Sequence, residues 1–204
     1  NEAGWKDLCE LLWETHFHVS RVAQYWVLHN RSEFPAMEAY TFACRDGLRQ
    51  EIKQDELCYE KYGTIWNFRF KKDAGTEWTS FDPWHKGEDA RRMVFLRDGR
   101  VLQVVETAHR KIHLRAPFFD SRSVSGLEVL WRWTTSPLME GEMRGHGAYL
   151  RLTVSGRDVP TYVVRRQPKS WAFILENCWG IFASCPLPRK SQVSASWPSL
   201  VSFR

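Results

Sequence analysis

Residues 147–184, GAYLRLTVSGRDVPTYVVRRQPKSWAFILENCWGIFAS, hold four apolar runs separated by turn residues, and this stretch constrains the fold more than any other. In the first run Ala148, Leu150, Leu152 and Val154 alternate with Tyr149, Arg151 and Thr153, the period of two that sends one set inward and the other to water. Ser155-Gly156-Arg157-Asp158 breaks the pattern, because glycine accepts the positive φ of a tight reversal. Alternation resumes over 159–166 after Pro160, whose missing N–H suits the start or edge of a strand. Trp171, Phe173 and Leu175 are predicted to share one face of the third run, and Trp179, Ile181 and Ala183 one face of the fourth. Short strands joined by short turns make an antiparallel meander.

The same period rules the chain from residue 63. Trp66, Phe68 and Phe70 face one way, and a second short strand is predicted to carry Trp78 and Phe81. Residues 82–87, DPWHKG, read as a loop. The apolar runs 93–96 and 101–105 flank an Asp-Gly pair at 98–99, a strong signal for a primed hairpin turn. Residues 109–115 form a basic edge strand, 117–126 a loop, and Leu127, Val129, Trp131 and Trp133 the inner face of another strand. Residues 137–147, with Gly141, Gly145 and Gly147, make the longest loop. Eleven tryptophans must find cover, since each offers roughly 200 Å² of mostly apolar surface. The expected fold class is therefore α+β, with an antiparallel up-and-down β-barrel-like, lipocalin-like body of eight to ten strands over 63–185. A flat sandwich is the alternative. Residues 186–204, with Pro186, Pro188, Pro198 and five serines, read as a tail that Trp197, Leu200 and Phe203 anchor.

Residues 1–62 follow a helical rhythm. Trp5, Leu8, Cys9, Leu12 and Trp13 stand at the i, i+3, i+4, i+7, i+8 spacing of an amphipathic helix. Val22, Tyr25, Trp26 and His29 repeat it, and after Pro35 so do Met37, Tyr40, Ala43 and Cys44. A short turn over 54–59 follows. These helices are too few to stand alone and are expected to pack on the barrel.

Charge divides along the same line. Residues 1–60 hold 6 Lys and Arg against 11 Asp and Glu, a net −5, and the remainder holds 23 against 13, a net +10. Solvated faces that attract each other across an internal interface account for this split. Cations come as singles and pairs, so no nucleic-acid partner is expected. Five cysteines, an odd number without a C-x-x-C pair, point to free thiols, with only Cys178 and Cys185 near enough in sequence to meet. No run approaches the ~20 apolar residues of a membrane-spanning helix, and the reading is a soluble intracellular protein of cytoplasm or nucleus. A chain opening at Asn1 is expected to be a fragment or a processed product.

Several motifs, in order, resemble plant and algal F-box proteins. They are W-x-x-L-C-x-x-L-W at 5–13, D-E-L-C at 55–58, W-x-F-R-F-K at 66–71, A-G-x-x-W-T at 74–79, D-P-W at 82–84, M-V-F-L-x-D-G at 93–99 and R-D-V-P-T-Y-V-V-R-R at 157–166. The likeness spans about residues 5–188 and covers the segment after the F-box with the strand-rich region beyond it. It implies a substrate receptor in which F-box helices bind a Skp-type adaptor of a cullin-RING ubiquitin ligase and the downstream domain holds the target. The Leu-Pro-rich F-box proper is not in this sequence, where residues 5–13 resemble only its trailing helix.

Reactive constellations are sparse. His16-x-His18 could begin a metal site, but spacing places no third ligand nearby, and none is expected. Ser136, Ser184, His146 and Asp158 lack a G-x-S-x-G turn, and Glu140 with Glu142 reads as a solvated pair. The glycines of 141–147 lack the strand-to-helix context of a phosphate cradle. No catalytic residue, cofactor or metal is assigned. Trp66, Phe68, Trp131, Trp133, Tyr162, Trp171 and Trp179 either fill the barrel or line a cavity for a small hydrophobic ligand. Trp5, Leu8, Leu12, Trp13, Trp84 and His85 are candidate partner contacts, as are the loops 82–87 and 137–147. The expected function is a non-catalytic protein–protein interaction module whose partner is a Skp-type adaptor or a member of a larger complex. The alternatives are a carrier of a small hydrophobic ligand and a structural subunit of a large assembly.

Overall fold

The computed structural model describes residues 2–19, 21–29, 35–115, 117, 131–136, 149–154 and 157–192. The predicted loops 118–126 and 137–147, the inner positions Leu127, Val129 and Ala148, and tail residues 193–204 with their apolar anchors lie outside them.

The helical front contains α1 (Glu2–Thr15), α2 (Arg21–Leu28), α3 (Ala36–Gly47) and the single turns α4 (Gln54–Leu57) and α5 (Tyr59–Tyr62). The inward stripe of α3 is Ala36, Ala39, Ala43 and Gly47, all small and all buried, so neighbouring helices approach closely. Cys9 and Leu12 of α1 bury against that stripe, and Trp5 and Trp13 close its margins. The stripe is narrow. Leu8 and Met37, predicted on the packed faces, are instead 41% and 46% exposed. The carboxylate of Glu2 accepts the N–H of Ala36 at 2.8 Å, placing negative charge at the N-terminus of α3.

The body contains β1 (Trp66–Phe70), α6 (Thr76–Thr79), β2 (Arg91–Phe95), β3 (Arg100–Glu106), β4 (Ile112–Arg115), β5 (Trp131–Ser136), β6 (Tyr149–Val154), β7 (Arg157–Asp158), β8 (Val163–Arg166), β9 (Phe173–Glu176) and β10 (Gly180–Ala183). All pairings between these strands are antiparallel, in the order β7-β6-β5-β3-β2-β1-β10-β9-β8, with β4 added to β3. The first strand thus lies beside the last. The sheet's two ends meet where Tyr162 donates its N–H to the Leu150 carbonyl at 2.9 Å and accepts in return at 3.3 Å, curling the meander into the expected barrel-like body.

One aromatic cluster fills that body. Trp66, Phe68, Phe70, Phe95, Trp131, Tyr162, Phe173 and Phe182 are all essentially inaccessible to solvent. Phe68 meets Phe182 at 4.5 Å, Phe70 at 4.8 Å and Trp131 at 5.4 Å, each tilted or edge-on as ring quadrupoles prefer. Full burial of one such ring is worth about 1.5–3 kcal/mol, so this cluster dominates the fold's stability. Val154, Leu152 and Leu150 alternate inward as expected.

Four local expectations need correcting. Trp78 stands on α6 rather than on a strand, because Gly75, at φ +99°, offers its carbonyl to the N–H groups of Trp78 and Thr79. Residues 83–86 are a 3-10 turn, capped by the Asp82 carboxylate, which accepts the Trp84 N–H at 3.2 Å. The β2–β3 turn is not primed. Only Gly99 in it has positive φ, and the Leu96 N–H to Arg100 carbonyl bond closes a three-residue loop of the type I plus bulge kind. The fourth run also turns over relative to expectation: Phe182 points into the barrel, whereas Ile181 and Ala183 join Ala172, Ile174 and Cys185 in an outer cluster under Leu187. The start of the tail is strapped to the body, with the Trp84 indole N–H donating to the Pro188 carbonyl at 2.8 Å and Arg189 paired with Asp89.

Gly180 tests how tightly the barrel is packed, since a Cβ there would stand 2.7 Å from the Phe68 ring. Gly180→Ala should lower the unfolding free energy in urea by roughly 1–3 kcal/mol while leaving the far-ultraviolet circular dichroism unchanged.

Candidate functional site

The seam between helical front and barrel holds a cleft of about 350 Å³. Its floor is ionic and its rim aromatic. From Tyr162 into β8 the inward positions are Tyr162, Val164 and Arg166, so the alternation delivers a cation where an apolar residue is expected. Arg166 is only 4% exposed. Its guanidinium donates to the carbonyls of Trp171 at 3.1 Å, His18 at 2.7 Å and Arg49 at 3.4 Å, and to that of Asp46, while lying 4.7 Å from the centre of the Phe173 ring. The Asp46 carbonyl belongs to the last turn of α3, where it also accepts the Arg49 N–H at 3.0 Å, and a cation suits that end of the helix dipole. The Asp46 carboxylate, 3.6 Å away, supplies the counter-charge.

Arg49 repeats the design. Its fork grips both oxygens of Glu56 at 2.7 and 3.0 Å, and its Nε donates to Asp46 at 3.0 Å. The backbone N–H of Lys53 adds a bond to Glu56 at 2.7 Å, and His18 Nε2 stands 3.6 Å from it. Burial alone would raise the Glu56 pKa. The neighbouring His18 ring and the hydrogen bonds from Arg49 and Lys53 outweigh it and hold the carboxyl at about 2. A carboxylate so firmly ionised is a weak base, and both acids of the floor are locked on arginines. Trp13, His16, Phe17, Phe42 and Tyr62 give the cleft its helical rim, and Ile65 and Ser184 its barrel side.

Trp171 joins the layers. It was expected beside Phe173 and Leu175 on the inner face, but it sits at the tip of the β8–β9 hairpin with φ +55°. Its indole packs against α3 at Gly47, where a Cβ would fall 2.4 Å from the ring, and the His16 ring lies 4.1 Å away. A backbone reversal, which strand periodicity does not register, turns it out of the barrel and into the helical core. Trp66, Phe68, Trp131, Trp133 and Tyr162 do converge inside, and Trp179 covers them half-buried, 5.1 Å from Trp78.

The candidate partner contacts separate similarly. Leu8 is open and Trp5 and Trp13 are half-covered, whereas Leu12 is buried. Trp84 is buried too, with the Arg69 guanidinium 4.2 Å over its ring, and His85 bonds the Phe70 carbonyl at 3.0 Å, so both brace the barrel instead of facing a partner. A second, shallower cleft of about 490 Å³ is bordered by Pro83, Gly87, Arg91, Gln103 and Arg189. Of the residues considered for catalysis, Ser184 spends its hydroxyl on the Phe173 N–H at 2.9 Å and Asp158 is exposed on β7. All five cysteines are free thiols, Cys178 exposed and Cys185 buried. The Arg166 clamp escaped sequence reading, although its signal was present as a charge at an inward position.

Glu56 is the titration handle of this seam. A carboxyl held at about 2 in the folded chain, against an ordinary value of 4.5, adds stability above the ordinary value that is lost as pH falls toward 2. Urea titrations should therefore show wild-type stability dropping by about 3 kcal/mol across that window, whereas Glu56→Gln, already weaker at neutral pH, should show a markedly flatter profile. Comparison with protein-family models, with curated proteins and with solved structures returned no match to this chain.

Proposed function

We propose that this chain is a non-catalytic protein–protein interaction module that docks a partner on its helical layer. One observation carries the reading: of the eleven large hydrophobic side chains exposed among the described residues, eight belong to the helical front. They include Leu8, Leu11, Leu28, Met37, Phe42 and Leu48, the last 77% exposed. Single exposed leucines are ordinary on a soluble protein, but such a concentration on a layer that covers less than a third of the chain marks a contact surface. Acidic side chains stand among the apolar ones on α1, with Asp7, Glu10 and Glu14 around Leu8 and Leu11, so the surface favours a partner that offers cations beside its apolar groups.

The resemblance of residues 5–188 to F-box proteins makes a Skp-type adaptor the first partner to test, with the barrel as the part that holds a target. A scaffold subunit of a larger complex is the same reading without the ligase. Cytoplasm or nucleus is the compartment that goes with it, and the free thiols agree. Among the described residues no helix is long and apolar enough to cross a membrane. The ligand-carrier alternative draws no support from the described interior, where the rings touch one another and neither cleft is lined by them.

Leu8→Glu combined with Leu11→Glu changes only exposed positions, so thermal unfolding should be unaffected. Binding of purified Skp-type adaptor, measured by surface plasmon resonance, should weaken by about tenfold or more. Adaptor binding that ignores the double substitution would refute docking at α1. If the wild-type chain shows no adaptor binding, the ligase reading fails and crosslinking in native cells must then find the scaffold partner on these residues.

A further inference from the structure

The remaining exposed large hydrophobics include Ile112 and Leu114, both on β4 and at 49% and 37% exposure. Every residue from 108 to 115 is exposed. Gln103 pairs with Met93 on one side and Arg115 on the other, so β4 lies across β3 from β2, and among the described residues β4 pairs with β3 alone. The Thr107 N–H to Lys111 carbonyl bond, 3.0 Å, sets the phase of the ladder. Antiparallel alternation then directs the peptide groups of His113 and Arg115 toward β3 and turns those of Ile112 and Leu114 outward.

The side chains alternate as well. Ile112 and Leu114 lie opposite Glu106 and Val104, and His113 and Arg115 share the other face. Residues 109–115 read HRKIHLR, and 107–117 contain no Asp or Glu. At the hairpin tip Arg110 takes φ +57°, the place that Gly99 takes in the β2–β3 turn. An L-residue is strained there, and the strained position carries an exposed cation.

We propose that β4 is a docking edge for an extended segment of a partner protein in which acidic and apolar residues alternate. The segment would add a strand to the sheet, with main-chain bonds to Ile112 and Leu114, its apolar side chains extending the Ile112–Leu114 face and its carboxylates meeting His113 and Arg115. Charge complementarity selects this occupant, because an edge so basic repels a second copy of itself and leaves the apolar row to be matched. The proposal rests on the interaction-module reading and adds a second face to it, so that one chain bridges two proteins.

The test uses the 204-residue chain and a fluorescein-labelled octapeptide of alternating Glu and Val, followed by anisotropy. Saturable, salt-weakened binding is expected. It should fall about tenfold or more with Leu114→Pro, which removes an outward N–H and no bond to β3, and with Lys111→Glu plus Arg115→Glu. Methylating alternate peptide nitrogens of the probe should abolish binding, and this arm stands even if Leu114→Pro fails to fold. The Leu8→Glu, Leu11→Glu chain should bind the probe as wild type does, so loss of adaptor capture and loss of peptide binding are separate results. Absence of binding, or binding indifferent to methylation and matched by duplex DNA or anionic vesicles, would overturn the proposal. So would a dimer that dissolves with Leu114→Pro, which would make the occupant a second copy.

Discussion

The guanidinium of Arg166 fixes how the two layers of this protein sit together. Taking a cation out of water costs several kcal/mol unless its donors are met and its charge balanced. Here carbonyls from α3, from the segment after α1 and from the β8–β9 hairpin meet them, and Asp46 balances the charge. Three segments distant in sequence must reach their places together for that cation to be tolerated. Hydrophobic burial gives the helical layer an affinity for the barrel, and Arg166 selects one arrangement out of the many that burial alone would accept.

The division of charge along the chain has a corresponding local use. Acids of the front meet cations of the body at Asp46 with Arg166 and at Asp55 with Arg97, and the Glu60 carboxylate accepts the Arg97 N–H at 2.9 Å. Cations of the body also converge on acids of its own. Glu176, nearly inaccessible on the outer face of β9, is held by both Lys71 and Arg165.

Much of the architecture is legible from periodicity, and the reason is geometric. Where strands are regular, as over 66–70 and 150–154, the period of two names the inward residues without tertiary knowledge. Periodicity fails where one backbone angle changes the rule. Gly75 begins a helix where a strand was expected, and the positive φ of Trp171 moves an indole from one core to the other. Amphipathic spacing likewise placed Leu8 on a packed face, because spacing reveals which face is apolar but not how wide its partner is. The seam cleft was the least legible feature, since its residues come from α1, α3, α4 and the barrel, and only the closed fold unites them.

Strand β1 pairs with β10 in antiparallel register, so Asn67, near the start of the barrel, lies opposite Ala183, near its end. The polypeptide therefore enters and leaves the barrel side by side at one rim. A unit with adjoining ends can be spliced into a surface loop of another protein, or permuted by linking those ends and reopening a hairpin, without breaking a single strand pair. Such a splice or permutation would have to keep the helical front in place, because Arg166 of the barrel takes its carbonyls and counter-charge from it.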